Sequence, residues 1–97
     1  MIDTLKITDI IIPRFPKHVR FKYNKPRDEW VILAPERLVK LDNIAVEILK
    51  LVDGKQSVVE IANILSNKFN APLETILVDT IDMLQSLSDK GFIEENG

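Results

Sequence analysis

The chain predicts an α+β fold, winged helix-turn-helix-like, with a three-stranded antiparallel sheet followed by a three-helix bundle. Residues 17–41 hold short runs of alternating apolar and polar residues broken by prolines, the period of half-buried strands. Residues 42–91 hold apolar residues at three- and four-residue spacing, with capping signals between them. Only Asn70-Ala71-Pro72 separates the last two helices, which is the spacing of a helix-turn-helix pair.

Residues 1–16 read as an N-terminal extension. Ile10-Ile11-Ile12, closed by Pro13 and Pro16, either pairs as an extra strand or forms an extended arm. In the first strand Val19, Phe21 and Tyr23 share one face, and Arg20, Lys22 and Asn24 the other. Lys25-Pro26-Arg27-Asp28 supplies a turn. Glu29 to Leu33 is apolar on both faces and suits a central position. Pro35 cannot donate to a ladder, so that strand stops, and the charged pair Glu36-Arg37 opens a third strand ending at Leu41.

Asp42 is a plausible N-cap for the first helix. Its stripe is Ile44, Ala45, Ile48, Leu49 and Val52, and Gly54 suits its C′ position. Ser57 and Glu60 fit a capping box for the second helix, whose stripe is Val58, Ile61, Ala62, Leu65 and Phe69. Pro72 suits the first turn of the third helix, which runs to about Lys90 and is closed by Gly91. Phe92-Ile93 can pair briefly afterwards.

The length of 97 residues suits one domain, 1–97, with the extension at 1–16, the sheet at 17–41 and the helices at 42–91. Such a chain buries a single core and has no cleft between domains. There is no cysteine, so no disulfide and no thiolate metal site. His18 is the single histidine and has no Ser or Asp placed by a motif; it reads as a surface residue. Asp79, Asp82 and Asp89 share the polar face of the third helix with Glu74, Ser86 and Lys90, a solvated face. Gly54, Gly91 and Gly97 are isolated and build no phosphate loop. The expectation is a non-enzyme without catalytic residues, cofactor or metal. No signal peptide is visible and no apolar run approaches the ~20 residues that cross a bilayer, which predicts a cytoplasmic protein without a membrane partner.

The net charge of −2 is unevenly spread. Residues 1–41 hold nine Lys/Arg against five Asp/Glu, and residues 42–97 hold four against ten. A helix-turn-helix reads DNA with its second helix, which needs cations for the phosphates. Here that helix carries Glu74, Asp79, Asp82 and Asp89 against Lys90 alone. It would be repelled by a duplex, so a winged-helix DNA-binding regulator is disfavoured and no nucleic-acid partner is expected.

On a helical wheel, Leu73, Leu77, Thr80, Leu84 and Leu87 face one way, with Ile76 and Met83 on one flank and Val78 and Ile81 on the other. This face spans roughly 220°, wider than the ~100° a one-sided helix needs. Either two neighbours cover it, or one flank borders a groove beside the third strand. An edge strand presents unpaired N–H and C=O groups, and an extended peptide can add to them. Val39 is expected to offer its N–H there. Arg37 and Lys40 would favour an acidic peptide.

These residues resemble a known family. Ile12-Pro13-Arg14, Val19-Arg20-Phe21, the run Trp30 to Arg37 (WVILAPER), Leu41-Asp42, Ala45 with Glu47-Ile48-Leu49, Asp53-Gly54, Val59-Glu60-Ile61, Ala71-Pro72, Asp79, Leu84, Leu87 and Gly91 are similar to the PqqD family of pyrroloquinoline quinone biosynthesis. The likeness covers about residues 12–95. It implies a peptide chaperone of the RiPP recognition element class with a winged-helix-like fold. Such a protein binds the precursor peptide PqqA by strand addition and presents it to PqqE, a radical S-adenosylmethionine enzyme that joins a glutamate and a tyrosine of the peptide. By the resemblance, the cleft is lined by Arg37, Leu38, Val39, Lys40 and Leu41, and by Leu77, Thr80, Ile81 and Leu84 of the third helix. Thr80 departs from the family, where an aliphatic residue is commoner, and makes that wall more polar. A recognition element for a different modified peptide is the alternative. An open edge also makes a homodimer possible.

Overall fold

Three antiparallel strands form the sheet that the alternation predicts. The computed structural model describes residues 5–35 and 37–96. Glu36, the acidic half of the charged pair, lies outside the described residues, as do residues 1–4 of the extension. The elements in order are β1 (Pro13–Arg14), β2 (Arg20–Asn24), β3 (Glu29–Ala34), β4 (Arg37–Lys40), α1 (Asn43–Leu49), α2 (Val58–Phe69), α3 (Leu73–Asp89) and β5 (Glu94–Glu95).

The sheet order is β2-β3-β4, with β3 central. Its register runs from Arg20↔Leu33 to Asn24↔Glu29 on one side and from Val31↔Lys40 to Ala34↔Arg37 on the other. Val31 and Ile32 point to opposite faces and both are fully buried. Ile32 enters the core. Val31 sits between its register partners Lys22 and Lys40, whose aliphatic stems are the available cover. On the core face an aromatic row stiffens the sheet. Phe15 stacks on Phe21 at 5.9 Å, Phe21 stacks on Trp30 at 4.7 Å, and Tyr23 meets Trp30 edge-on at 5.7 Å.

Asp42 caps α1 by accepting from the Ala45 N–H at 2.8 Å. The helix stops at Leu49, earlier than the stripe through Val52 predicts. Tight bonds from Leu51 N–H to Ile48 C=O and from Val52 N–H to Leu49 C=O unwind it. The Asp53 carboxylate then accepts from the N–H groups of Lys55 and Gln56 at 2.8 and 3.0 Å. Gly54 (φ +78) lies inside that turn, not at the helix C′ position. A side chain competing for local N–H groups overrode the helical spacing.

The capping box of α2 is present. The Ser57 N–H donates to Glu60 Oε1 at 2.8 Å, and the Glu60 N–H to Ser57 Oγ at 3.3 Å. The two donors left over, on Val58 and Val59, reach the carbonyls of Ile11 and Asp9, each at 2.9 Å. The N-terminal segment therefore completes this helix end. It is also held by α3, where Gln85 accepts from the Ile7 N–H and donates to the Leu5 carbonyl, both at 2.8 Å.

α2 ends at Asn70 in the left-handed region (φ 51), and the Ser66 hydroxyl donates to the Ala71 carbonyl at 2.5 Å. This fixes the short connection into α3, which packs along α2. Beyond α3, Phe92 and Ile93 are buried in the core instead of pairing. The pairing comes one step later, where Glu94–Glu95 joins Pro13–Arg14. The isoleucine run neither pairs as a strand nor hangs free. Ile11 and Ile12 are half-buried, Ile12 accepts from the Asn96 N–H, and Ile10 is exposed. Sheet and helices share one core around Ile32, Ile48, Ile61, Leu65, Leu84 and Phe92. Among the described residues no helix is long and apolar enough to cross a membrane.

Candidate functional site

With β3 central, β2 and β4 are the two edges of the sheet, and β4 is the candidate edge. Ala34 and Arg37 are the last register pair before the two-residue connection, and hairpins with such loops are commonly closed by a hydrogen-bonded pair. Hydrogen-bonded and non-bonded pairs alternate along an antiparallel ladder. Counting from a bonded Ala34↔Arg37 pair, Val39 bonds inward to its register partner Ile32, and Leu38 and Lys40 turn their N–H and C=O groups outward. That parity puts the edge donors on Leu38 and Lys40, where the sequence reading places one on Val39. Two residues give two donors and two acceptors, enough to register an extended segment.

Side chains alternate the other way. Arg37 and Val39 point to the core face and Leu38 and Lys40 to the outer face. Arg37 is exposed and rests its guanidinium 5.8 Å from the Phe92 ring centre, a cation–π contact on the core side. Val39 and Leu41 are half-buried apolar residues packed against the core, and Leu38 is 45% exposed.

Of the nine residues expected to line the cleft, Leu41 and Thr80 border the groove described below, and the other seven do not. Leu77 and Ile81 are half-buried and border the core. Thr80 and Leu84 are fully buried. Thr80 lies against that groove, and Leu84 lies in the core. The Thr80 hydroxyl donates to the Ile76 carbonyl at 2.7 Å, so it is satisfied within its own helix and turns its methyl to the interior. The wider apolar face of α3 resolves accordingly. Thr80, Leu84 and Leu87 are buried, Ile76, Leu77, Ile81 and Met83 are half-buried, and Val78 is exposed.

A groove of about 680 Å³ opens at the Leu41 end of β4, between α1 and the N-terminal half of α3. Ile44 and Phe69 line it, 63% and 51% exposed. The helical spacing places both residues on core-facing stripes. They stand at the first turn of α1 and the last turn of α2, where the neighbouring element has ended, and that position was the available signal. His18 is exposed. No cluster of three or more His, Asp or Glu side chains able to hold a metal occurs among the described residues.

The family model of Coenzyme PQQ synthesis protein D (PqqD) matches residues 29–93, which spans β3, β4 and all three helices. The chain belongs to the PqqD family. It is 46% identical over 91 residues to a PqqA binding protein of Bradyrhizobium diazoefficiens, covering 94% of this chain and 88% of that protein. The PqqD truncation of Methylobacterium extorquens PqqCD, solved in solution as a functional, stand-alone RiPP recognition element, superposes with a TM-score of 0.79. Its identity is 40%, and the match covers 91% of this chain and 94% of that one. TbiB1 in complex with the TbiA(beta) leader peptide shares the fold at a TM-score of 0.72 and 22% identity, over 84% of this chain and 94% of that one. The winged-helix-like architecture of PqqD recognition elements is thus the architecture of this chain.

Proposed function

We propose that the chain binds the precursor peptide PqqA by strand addition along β4 and presents it to the radical S-adenosylmethionine enzyme PqqE in the cytoplasm. The observation that carries this reading is that β4 is an edge strand of the sheet, in a chain whose third helix has a half-buried apolar flank and which is 46% identical to a PqqA binding protein. Leu38 and Lys40 supply the main-chain bonds. Arg37, Val39 and Leu41 meet alternate side chains of the peptide, with Leu77 and Ile81 opposite and Thr80 and Leu84 beneath them. The role is binding, not catalysis: a held peptide meets its modifying enzyme at a raised effective concentration.

The acidic residues of α3 support a peptide over DNA. Glu74, Asp79, Asp82 and Asp89 are all exposed, on the helix that would have to approach phosphates. The named relatives favour PqqA over another modified peptide.

The test is a titration of the isotopically labelled chain with PqqA, followed by NMR. The Leu38 and Lys40 amides and those of Leu77 and Ile81 should shift together. Absence of binding at high micromolar peptide would sink the proposal.

A further inference from the structure

We infer that the groove beyond Leu41 is a second peptide subsite, which takes a large apolar side chain next to a basic residue. The inference rests on the strand-addition reading and names what that reading leaves open: where the peptide goes when β4 ends.

The groove starts at Leu41, the residue that follows the paired strand, and continues between α1 and α3. A peptide leaving the edge in that direction enters it. Its wall contains Ile44, Phe69 and Ile76, and the first two are exposed apolar side chains. Burying such surface is worth roughly 25 cal/mol per Å², so an apolar side chain of the peptide has a reason to stop there.

Charge then selects what sits beside that side chain. Asp28, Glu29, Glu47 and Asp79 are among the residues that line the groove, with Lys50 as the one basic residue. Lys50 is turned over the Trp30 ring at 5.2 Å. Glu47 is paired with Lys68 at 3.0 Å. Asp28 and Asp79 have no ion-pair partner among the described residues. Glu29 Oε1 is buried and accepts no hydrogen bond, with Arg27 at a loose 3.9 Å. The unpaired carboxylates of Asp28 and Asp79 are the groups that a cationic group of the ligand would meet. The strand edge carries the opposite charge in Arg37 and Lys40. The two halves of the site therefore ask for different chemistry, acidic along β4 and apolar-basic in the groove, and together they fix the direction in which the peptide lies.

The experiment uses the full chain and PqqA. Ile44→Ser and Phe69→Ser alter exposed side chains and should leave the fold intact by circular dichroism, yet together weaken PqqA binding about tenfold. PqqA with glutamine at every Lys and Arg should bind the native chain about threefold more weakly, and Asp79→Asn should remove most of that difference. If the amides of Ile44, Lys50 and Ile76 stay fixed while Leu38 and Lys40 shift, the second subsite is overturned and strand addition stands. If neither set shifts, strand addition fails and takes the subsite with it. Groove shifts that appear on concentrating the chain alone would identify a second copy as the occupant and overturn the proposal.

Discussion

Thr80 reads as a polar intrusion in the sequence, and only the backbone shows why it is not one. Its hydroxyl is spent on the Ile76 carbonyl, so what the core receives is a methyl group. Thr80→Val keeps the shape and removes one helix-internal bond, so stability should change by less than about 1 kcal/mol in urea unfolding. Leu84→Ala, at a fully buried neighbour, should lose about 2–5 kcal/mol in the same measurement. A Thr80→Val loss of similar size would mean that the hydroxyl has a second, structural partner. Asp53 is the residue whose role the helical spacing hid. Backbone N–H groups, Lys55 first and Gln56 second, hold its carboxyl below the ordinary 3.8. Depressed in the folded state, it contributes stability that is present above 3.8 and lost as pH falls through the folded value. An NMR titration of the Asp53 carboxyl should give a midpoint below 3.8, and Asp53→Ala should abolish the acid-range component of unfolding that this group causes.

Strands and helices were legible because each carries its own periodicity, but the ties between distant segments were not. The pattern of Phe21, Tyr23, Ile32 and Val39 gives the sheet and its faces. Nothing near Asp9 or Ile11 announces that their carbonyls finish α2, since those partners are some 47–50 positions away in sequence. Gln85 likewise looks like an ordinary helix residue until it is seen holding Leu5 and Ile7. Gln85→Ala strands an N–H and a C=O of the N-terminal segment. It should cost about 1–2 kcal/mol and raise amide exchange at Ile7 before exchange rises in the sheet. The candidate edge was legible as an element, Arg37 to Leu41, but not its parity, which depends on the closing pair of the hairpin. That parity distinguishes two proline substitutions. Lys40→Pro removes an outward donor and should weaken PqqA binding beyond a Lys40→Ala control while the fold persists. Val39→Pro breaks a ladder bond to Ile32 and should cost about 1–3 kcal/mol, a fall in Tm of at least about 4 °C. The reverse ranking would mean that the ladder is offset by one residue.

For the whole molecule, the basic sheet half and the acidic helical half act on two competing uses of the same edge. A second copy could pair β4 against β4, and an acidic peptide could pair there instead. Pairing two copies sets Arg37 and Lys40 of one strand against those of the other, a concentration of like charge that edge strands use to stay unpaired. An acidic peptide strand meets the same cations as an attraction. Salt screens both, with a Debye length of ~10 Å at 0.1 M, but the signs differ: screening relieves the repulsion between copies and weakens the attraction for peptide. Sedimentation at increasing salt should therefore show self-association constant or rising, while PqqA affinity measured under the same conditions falls. Lys40→Gln should raise self-association at low salt and flatten the salt dependence of peptide binding. If self-association falls with salt in parallel with peptide affinity, the copies do not meet through β4. The basic strand would then face the acidic helices of its neighbour, which is the other contact that this charge division permits.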